Sequence, residues 1–367
     1  MDDQGKGEKI LVVQTSFLGD AVLTTPLLAE IRRRFPDAEL AVLCTPQAKS
    51  LLDKNPDVHE IITDDKKGGA RGWIGLWRKA KDLRRRDFTI ALSPHKSFRS
   101  GLLLFLAGIP YRIGFRQSAG WFFYHCRVNR DSTLHDVKRN LSILEPFGID
   151  PGECQRDLRV EVDHRARDAV ERVFRSVGIE RNGMTFGLSP GSVWPTKRWS
   201  AEGYAELMVH LKQRYSCQIL LFGSPEDHEI VTKIQEYSGN IGVSLVGKIA
   251  LRELACALDW CDVFITNDSG PMHIAVARGI PVVTIFCATT PSLGFYPYSS
   301  RAVIVEKDLP CRPCSSHGGR RCPLTTEDCI RLIKAEDVLR GVERLLERKE
   351  QVSPVGADPH LPEFITL

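Results

Sequence analysis

No apolar run in the sequence approaches the ~20 residues that a membrane-spanning helix needs; Leu102–Ile109 is typical of the longest. The opening residues, MDDQGKGEKI, lack the basic, apolar and small-residue regions of a signal peptide. The expectation is a cytoplasmic protein that at most touches the inner membrane face. Eleven cysteines are an odd number, which argues against a complete disulfide framework, and cytoplasmic thiols stay reduced. Charge of one sign is not in strong excess either. Fifty Lys and Arg against 46 Asp and Glu leave +4, too little to imply a nucleic-acid partner. There is no D-x-D, the usual cue for a metal bridging a nucleotide diphosphate, and no G-x-x-x-x-G-K-[ST] phosphate loop. A G-x-G-x-x-G is also missing after the first apolar run, which weakens a nicotinamide-dependent oxidoreductase.

The 367 residues, 43% hydrophobic and 26% charged, suffice for two globular domains, each with its own core. The run at residues 9–14 (KILVVQ) reads as a buried strand. A small-residue turn follows, then a helix with Val22, Leu23, Leu27, Leu28 and Ile31 on one side, then a strand at Glu39–Cys44. Strand, helix, strand implies a parallel sheet. Further strands are predicted at Glu60–Thr63, Phe88–Ser93 and Tyr111–Phe115. In the second half they are predicted at Met184–Ser189, Cys217–Phe222, Val263–Asn267 and Val282–Phe286, with helices at Ala201–Arg214, Asp227–Tyr237 and Met272–Ala277. The rhythm repeats without a literal sequence repeat. The predicted organisation is α/β: two Rossmann-like doubly wound domains, 8–170 and 171–348, facing across a cleft, then a tail, 349–367, running over the surface. Ligands bind such sheets at the carboxyl ends of the strands, so the loops there carry the candidates.

The turn Thr15–Asp20 follows the first strand. Asp20 suits a helix cap and equally suits a base that takes a proton from an attacking hydroxyl. The loop Ser189–Trp199 offers Gly191 for close backbone approach, hydroxyls from Ser192 and Thr196, and charge from Lys197 and Arg198, a set suited to a departing diphosphate. Glu226 and Asp227 follow another strand; they suit a ribose or merely complement a helix dipole. Asp268, Ser269 and Gly270 form a tight turn into a helix whose free N–H groups attract an anion, with Pro271 in its first turn and His273 just inside.

Two stretches stay open. Cys311, Cys314, Cys322 and Cys329 suit a structural zinc site, free thiols or a redox-dependent bridge; no second C-x-x-C follows the first. Lys66–Arg86 holds nine Lys or Arg and one acid. With Trp73, Leu76, Trp77, Ala80 and Leu83 at helical spacing, it reads as an amphipathic helix touching an anionic membrane face or as an ordinary helix lying on the sheet. Lys96, Arg99, Arg112 and Arg116 add cations near strand ends, suited to an anionic sugar acceptor.

Several blocks, in order, resemble the lipopolysaccharide heptosyltransferases, glycosyltransferase family 9: KILVVQTSFLGDAVLTTPLL, HKSFRSGLLLFLAGIPYRIGF, HDVKRNL, SPGSVWPTKRWS, FGSPEDHE and NDSGPMHIAVARGIPVV. They run from about residue 9 to 345, and the second core heptosyltransferase is the more similar. The resemblance implies a GT-B fold, an ADP-heptose donor held by the second domain and a lipid A–core acceptor held by the first. It implies Asp20 as base, with Ser16, Lys96, Arg99, Arg112 and Arg116 on the acceptor. On the donor it implies Ser189, Gly191, Thr196, Lys197, Glu226, Asp227, Asp268, Ser269, Gly270 and His273. It implies inverting transfer with no required cofactor, no catalytic metal and no nucleic-acid partner. Ser269 stands where some members have Thr, and the cysteine-rich segment is absent from some. An alternative of the same fold is a nucleotide-sugar epimerase, and a non-enzymatic alternative is an anionic glycolipid binder.

Overall fold

The computed structural model describes residues 7–66, 68, 71–349 and 358–367. The first residues of the opening segment and part of the expected tail, 350–357, lie outside the described residues. The chain divides into two compact units, Met1–Glu161 and Val162–Leu367.

In the first unit the strands are β1 (Lys9–Gln14), β2 (Glu39–Cys44), β3 (Glu60–Thr63), β4 (Ile90–Ser93), β5 (Tyr111–Phe115) and β6 (Cys126–Val128). The helices are α1 (Leu18–Leu23), α2 (Thr25–Arg34), α3 (Pro46–Leu52), α4 (Gly72–Arg84), α5 (Phe98–Leu106) and α6 (Asp136–Leu141). All strands are parallel, in the order β3-β2-β1-β4-β5-β6. β1 is wholly buried after Lys9, as a central strand covered by helices on both faces must be. Leu76, Ala80 and Leu83 of α4 join Leu103 and Leu104 of α5 over Leu11, Val13, Ala41 and Leu43 of the sheet.

In the second unit the strands are β7 (Met184–Ser189), β8 (Cys217–Leu221), β9 (Val243–Ser244), β10 (Val263–Asn267), β11 (Val282–Phe286), β12 (Ala302–Glu306) and β13 (Glu363–Thr366). The helices are α7 (His164–Ser176), α8 (Ala201–Arg214), α9 (His228–Tyr237), α10 (Leu251–Leu258), α11 (Gly270–Ala277), α12 (Asp328–Arg331) and α13 (Ala335–Lys349). The order is β13-β12-β11-β10-β7-β8-β9, again parallel. In chain order this repeats the winding of the first sheet and adds one edge strand. Each sheet therefore reverses direction once, between β1 and β4 and between β7 and β10. Those are the points where a doubly wound sheet opens a crevice for a ligand.

Four strands escape the sequence reading. β6 and β9 are too short to show a pattern, and β12 (AVIVE) is a short apolar run outside the expected strands. The end of the chain departs most: Glu363–Thr366, expected as surface-running tail, pairs with β12. A proline-rich approach hid an edge strand that buries only Ile365. The helix in the basic stretch occupies Gly72–Arg84 alone.

Candidate functional site

In the first unit the loop after β1 is pinned before it turns into α1. Gln14 Nε2 donates to Thr24 Oγ1 (3.0 Å), Thr24 Oγ1 donates to the Asp20 carbonyl (2.7 Å), and Gln14 Oε1 accepts from Ser16 N–H (3.3 Å). Helix α1 starts at Leu18, so Asp20 sits in its first turn rather than at its cap. The carboxylate reaches back to accept the Phe17 N–H at 3.0 Å. The cap reading is thus realised from inside the helix, and it leaves the rest of the carboxylate for chemistry. Burial, reinforced by the Asp136 carboxylate, pushes Asp20 from 3.8 up to about 6, against the Ser16 and Phe17 hydrogen bonds and the Arg130 charge. A carboxyl held there is half-prepared to take a proton near neutral pH.

Asp136 was not among the expected residues, although it lies in the HDVKRNL block. It is buried at the start of α6, paired with Arg130 and, at 3.7 Å, with Arg139. Asn140 Nδ2 ties it to α1 by donating to Asp136 Oδ2 (3.3 Å) and to the Leu23 carbonyl (3.2 Å). A D-x-x-R pair on one helix face was the available signal.

The expected acceptor cations divide. Lys96 follows β4, and burial, with the Arg130 and Arg139 charges, lowers its pKa against the opposing Asp136 carboxylate. Arg99 is committed to the buried Asp64 at 3.2 Å. Beside that pair, Lys66 Nζ donates to the Thr15 carbonyl (3.1 Å), and Thr15 Oγ1 and Ser100 Oγ each lie 3.2 Å from His95 Nδ1. Burial and the neighbouring lysines hold His95 down to about 4, hence neutral. Arg116 follows β5 and is exposed, with its Nε on the Arg127 carbonyl. Arg112 is a correction. It is the second residue of β5, near the strand's amino end, and its guanidinium is spent on the carbonyls of Ile109 and Phe123. It braces backbone and is not gathered with the others.

In the second unit Asn267, buried at the end of β10, ties three segments together. Its Nδ2 donates to the Pro190 carbonyl (2.7 Å), and its Oδ1 accepts from Trp199 N–H (3.0 Å) and the Tyr204 hydroxyl (3.2 Å). This sets the loop after β7, with Ser189 and Gly191, beside the turn after β10. In that turn Asp268 Oδ2 takes Lys197 Nζ at 2.6 Å and the Thr289 hydroxyl at 2.7 Å. Ser269 precedes α11 in extended backbone, and Gly270 and Pro271 open the helix. His273 is 4% exposed, and its Nδ1 is buried without a partner among the described residues. Burial, with Lys197 nearby, drives it down to about 4, although Asp268 opposes. The turn thus joins a compensated ion pair, a neutral imidazole and a helix N-terminus.

Two donor candidates have other work. The Thr196 hydroxyl accepts from Gly319 N–H (2.7 Å) and donates to the Gly319 carbonyl (3.0 Å), which clamps the cysteine-rich segment onto this loop. Asp227 Oδ2 accepts from Ser224 N–H (2.9 Å) and Ser224 Oγ (2.8 Å), closing its own turn. A Cβ on Gly191 would lie 2.4 Å from Asp227 Oδ1, so the glycine admits the carboxylate. Glu226 is exposed, and its own N–H with Ser224 lowers its pKa.

Burial, and then the neighbouring cysteines of the segment, raise the pKa of Cys314 and Cys329 against the Arg312 charge. Backbone N–H groups of Glu327, Leu324, Thr325 and Thr326 lower that of Cys322. The four cysteines do not form a closed tetrahedral set. Among the described residues the group of three ligand atoms gathered within 4.8 Å is Glu206, His210 and Glu336, on α8 and α13. No three of the cysteine sulfurs gather so closely among the described residues. A separate cavity of about 380 Å³ carries Glu306 and Asp308, with Arg312 already on Glu306. Its charge disfavours a diphosphate.

A family model, glycosyltransferase family 9 (heptosyltransferase), matches residues 76–323. Lipopolysaccharide heptosyltransferase 2 of Escherichia coli K12 is 30% identical over 317 residues, 81% of this chain and 88% of that protein. A glycosyltransferase family 9 structure from Veillonella parvula superposes with a TM-score of 0.83 at 25% identity, covering 94% of this chain and 98% of that one. The structure of E. coli ADP-heptose LPS heptosyltransferase II superposes at 0.75 and 24% identity, covering 94% and 100%, which bears on the fold: GT-B, with two Rossmann-like domains. With two parallel sheets of matching winding and a family match across most of its length, the chain belongs to glycosyltransferase family 9, the heptosyltransferases.

Proposed function

We propose that this glycosyltransferase moves heptose from ADP-heptose onto the lipid A–core acceptor of lipopolysaccharide, with inversion at the anomeric carbon and without a metal in the catalytic step. The first unit serves the acceptor and the second the donor. The observation that carries the reading is Asp20, a carboxyl raised to about 6 at the crevice point of the first sheet, in a chain whose second sheet presents an anion-suited turn at the equivalent point.

Asp20 takes the proton of an acceptor hydroxyl as its oxygen attacks the anomeric carbon. The bond from that carbon to the β-phosphate oxygen breaks, and ADP leaves from the opposite face. The N–H groups at the start of α11 and the Lys197 charge meet the oxygen on which negative charge grows. Neutral His273 offers a nitrogen to the same ligand. Lys96 and Arg116, with Ser16, favour an anionic acceptor. The lack of D-x-D supports charge stabilisation by these groups alone. Among the described residues no helix is long and apolar enough to cross a membrane, and a lipid-borne acceptor places the reaction at the inner-membrane surface.

The test is calorimetric titration with ADP, UDP and GDP sugars, then NMR of the product formed with and without EDTA. Preference for ADP, inverted configuration and EDTA-insensitive turnover are expected. Conversion of the nucleotide sugar without any acceptor would instead identify an epimerase.

A further inference from the structure

The basic stretch does not behave as one amphipathic helix. Leu76, Ala80 and Leu83 turn into the core, but Trp73, Ile74 and Trp77 point outward, 67%, 69% and 57% exposed. Burying these three in the sheet is therefore not why α4 carries them. Around them Arg71, Arg78 and Lys81 are exposed and form no ion pair among the described residues. The acid of this helix, Asp82, is already shared by Lys79, Arg85 and Arg86.

A second exposed apolar group adjoins it. Helix α5 lies beside α4, with Arg84 Nη2 on the Leu106 carbonyl (2.8 Å). Phe98, at the start of α5, meets Phe122 with ring centroids 6.1 Å apart, and Phe122 meets Trp121 at 5.8 Å. All three rings are about half exposed, and Arg127 covers the Trp121 face at 4.7 Å. Because α4 and α5 each follow a strand, their first turns lie at the carboxyl end of the sheet. That is the end that carries Asp20 and Lys96.

We propose that this face, built from the first turns of α4 and α5 with Trp121 and Phe122, docks the first unit on an anionic phospholipid bilayer. Half-exposed tryptophans interleaved with cations that form no ion pair among the described residues suit the headgroup boundary, where the rings enter the acyl edge and the cations meet lipid phosphates. An ordinary protein partner would need acids to match the same cations, whereas a bilayer supplies anions and an apolar edge together. The face deepens the membrane-surface part of the proposed function and rests on that reading for its purpose, but its test requires no turnover.

The experiment is co-sedimentation of the full chain with phosphatidylethanolamine–phosphatidylglycerol vesicles and with phosphatidylcholine vesicles. It compares the parent with W73S/I74S/W77S and with R78E/K81E. Circular dichroism and thermal unfolding check that each variant folds, since all five positions are exposed. The parent is expected to bind the anionic vesicles, more weakly in high salt, and to prefer them over phosphatidylcholine. Each variant is expected to lose binding by on the order of tenfold or more. Heptose transfer to a deacylated, soluble acceptor should be unchanged in both variants, and failure of that reaction in the parent would count against the transferase reading and leave the docking result intact. Equal vesicle binding by a folded triple variant overturns the proposal. So does a parent that forms a dimer, without lipid, which the triple variant cannot form.

Discussion

Lys197 Nζ and Asp268 Oδ2 stand 2.6 Å apart, with both side chains largely withdrawn from water. The lysine belongs to the loop after β7 and the aspartate to the turn after β10, so the pair fastens the two sides of the crevice in the second sheet. Removing one partner strands the other. Lys197→Met should destabilise the chain by about 2–4 kcal/mol and weaken ADP binding. The double variant K197M/D268N should regain most of the stability but not the affinity. Chemical denaturation and ADP calorimetry separate the two; single and double variants of equal stability would mean that the contact is not an effective ion pair.

Asp20→Asn should lower kcat by on the order of 10²–10⁴ while donor affinity persists. In the parent, kcat/KM should fall as pH drops below about 6, where Asp20 takes up its proton. Stability should move the other way. A carboxyl whose folded pKa is raised binds its proton more tightly when folded. It therefore costs nothing below its unfolded value of 3.8 and costs increasingly as pH climbs through about 6. The Asn variant should match the parent in acid and exceed it above pH 6 by about 1–2 kcal/mol. Turnover within a few-fold of the parent would remove Asp20 as the base.

Asp136 and Arg130 act on Asp20 from α6 and the loop after β6. Asp136→Asn removes a repelling charge, so the acid limb of the rate profile should shift to lower pH. Arg130→Gln removes an attracting charge and frees Asp136, so the limb should shift to higher pH. A purely structural role would lower the melting temperature and leave the limb in place.

Thr196→Val keeps the side-chain volume and deletes both hydroxyl bonds to Gly319. It should cost about 1–3 kcal/mol, quicken proteolysis within residues 315–321 and raise the donor KM with little change in kcat. An unchanged cleavage rate would show that the clamp does not hold the segment.

The roles of individual residues were less legible than the strands that present them. Thr196 reads from sequence as a hydroxyl for a phosphate, yet its partner is Gly319, far along the chain. Arg112 reads as a cation near a strand end, and only the register of β5 shows that it is near the wrong end. Asp136 is not legible as a functional residue from local sequence, because its effect on Asp20 depends on α6 lying beside α1.

By itself the sequence determined the buried strands β1, β2, β7, β10 and β11, the turns that follow them and the parallel winding they require, since these follow from local apolar pattern and short-range turn chemistry. Only the tertiary structure decided which charges are already spent, which carboxyl is raised and which apolar side chains of α4 stay outside. Charge compensation and burial depend on neighbours that local pattern does not name.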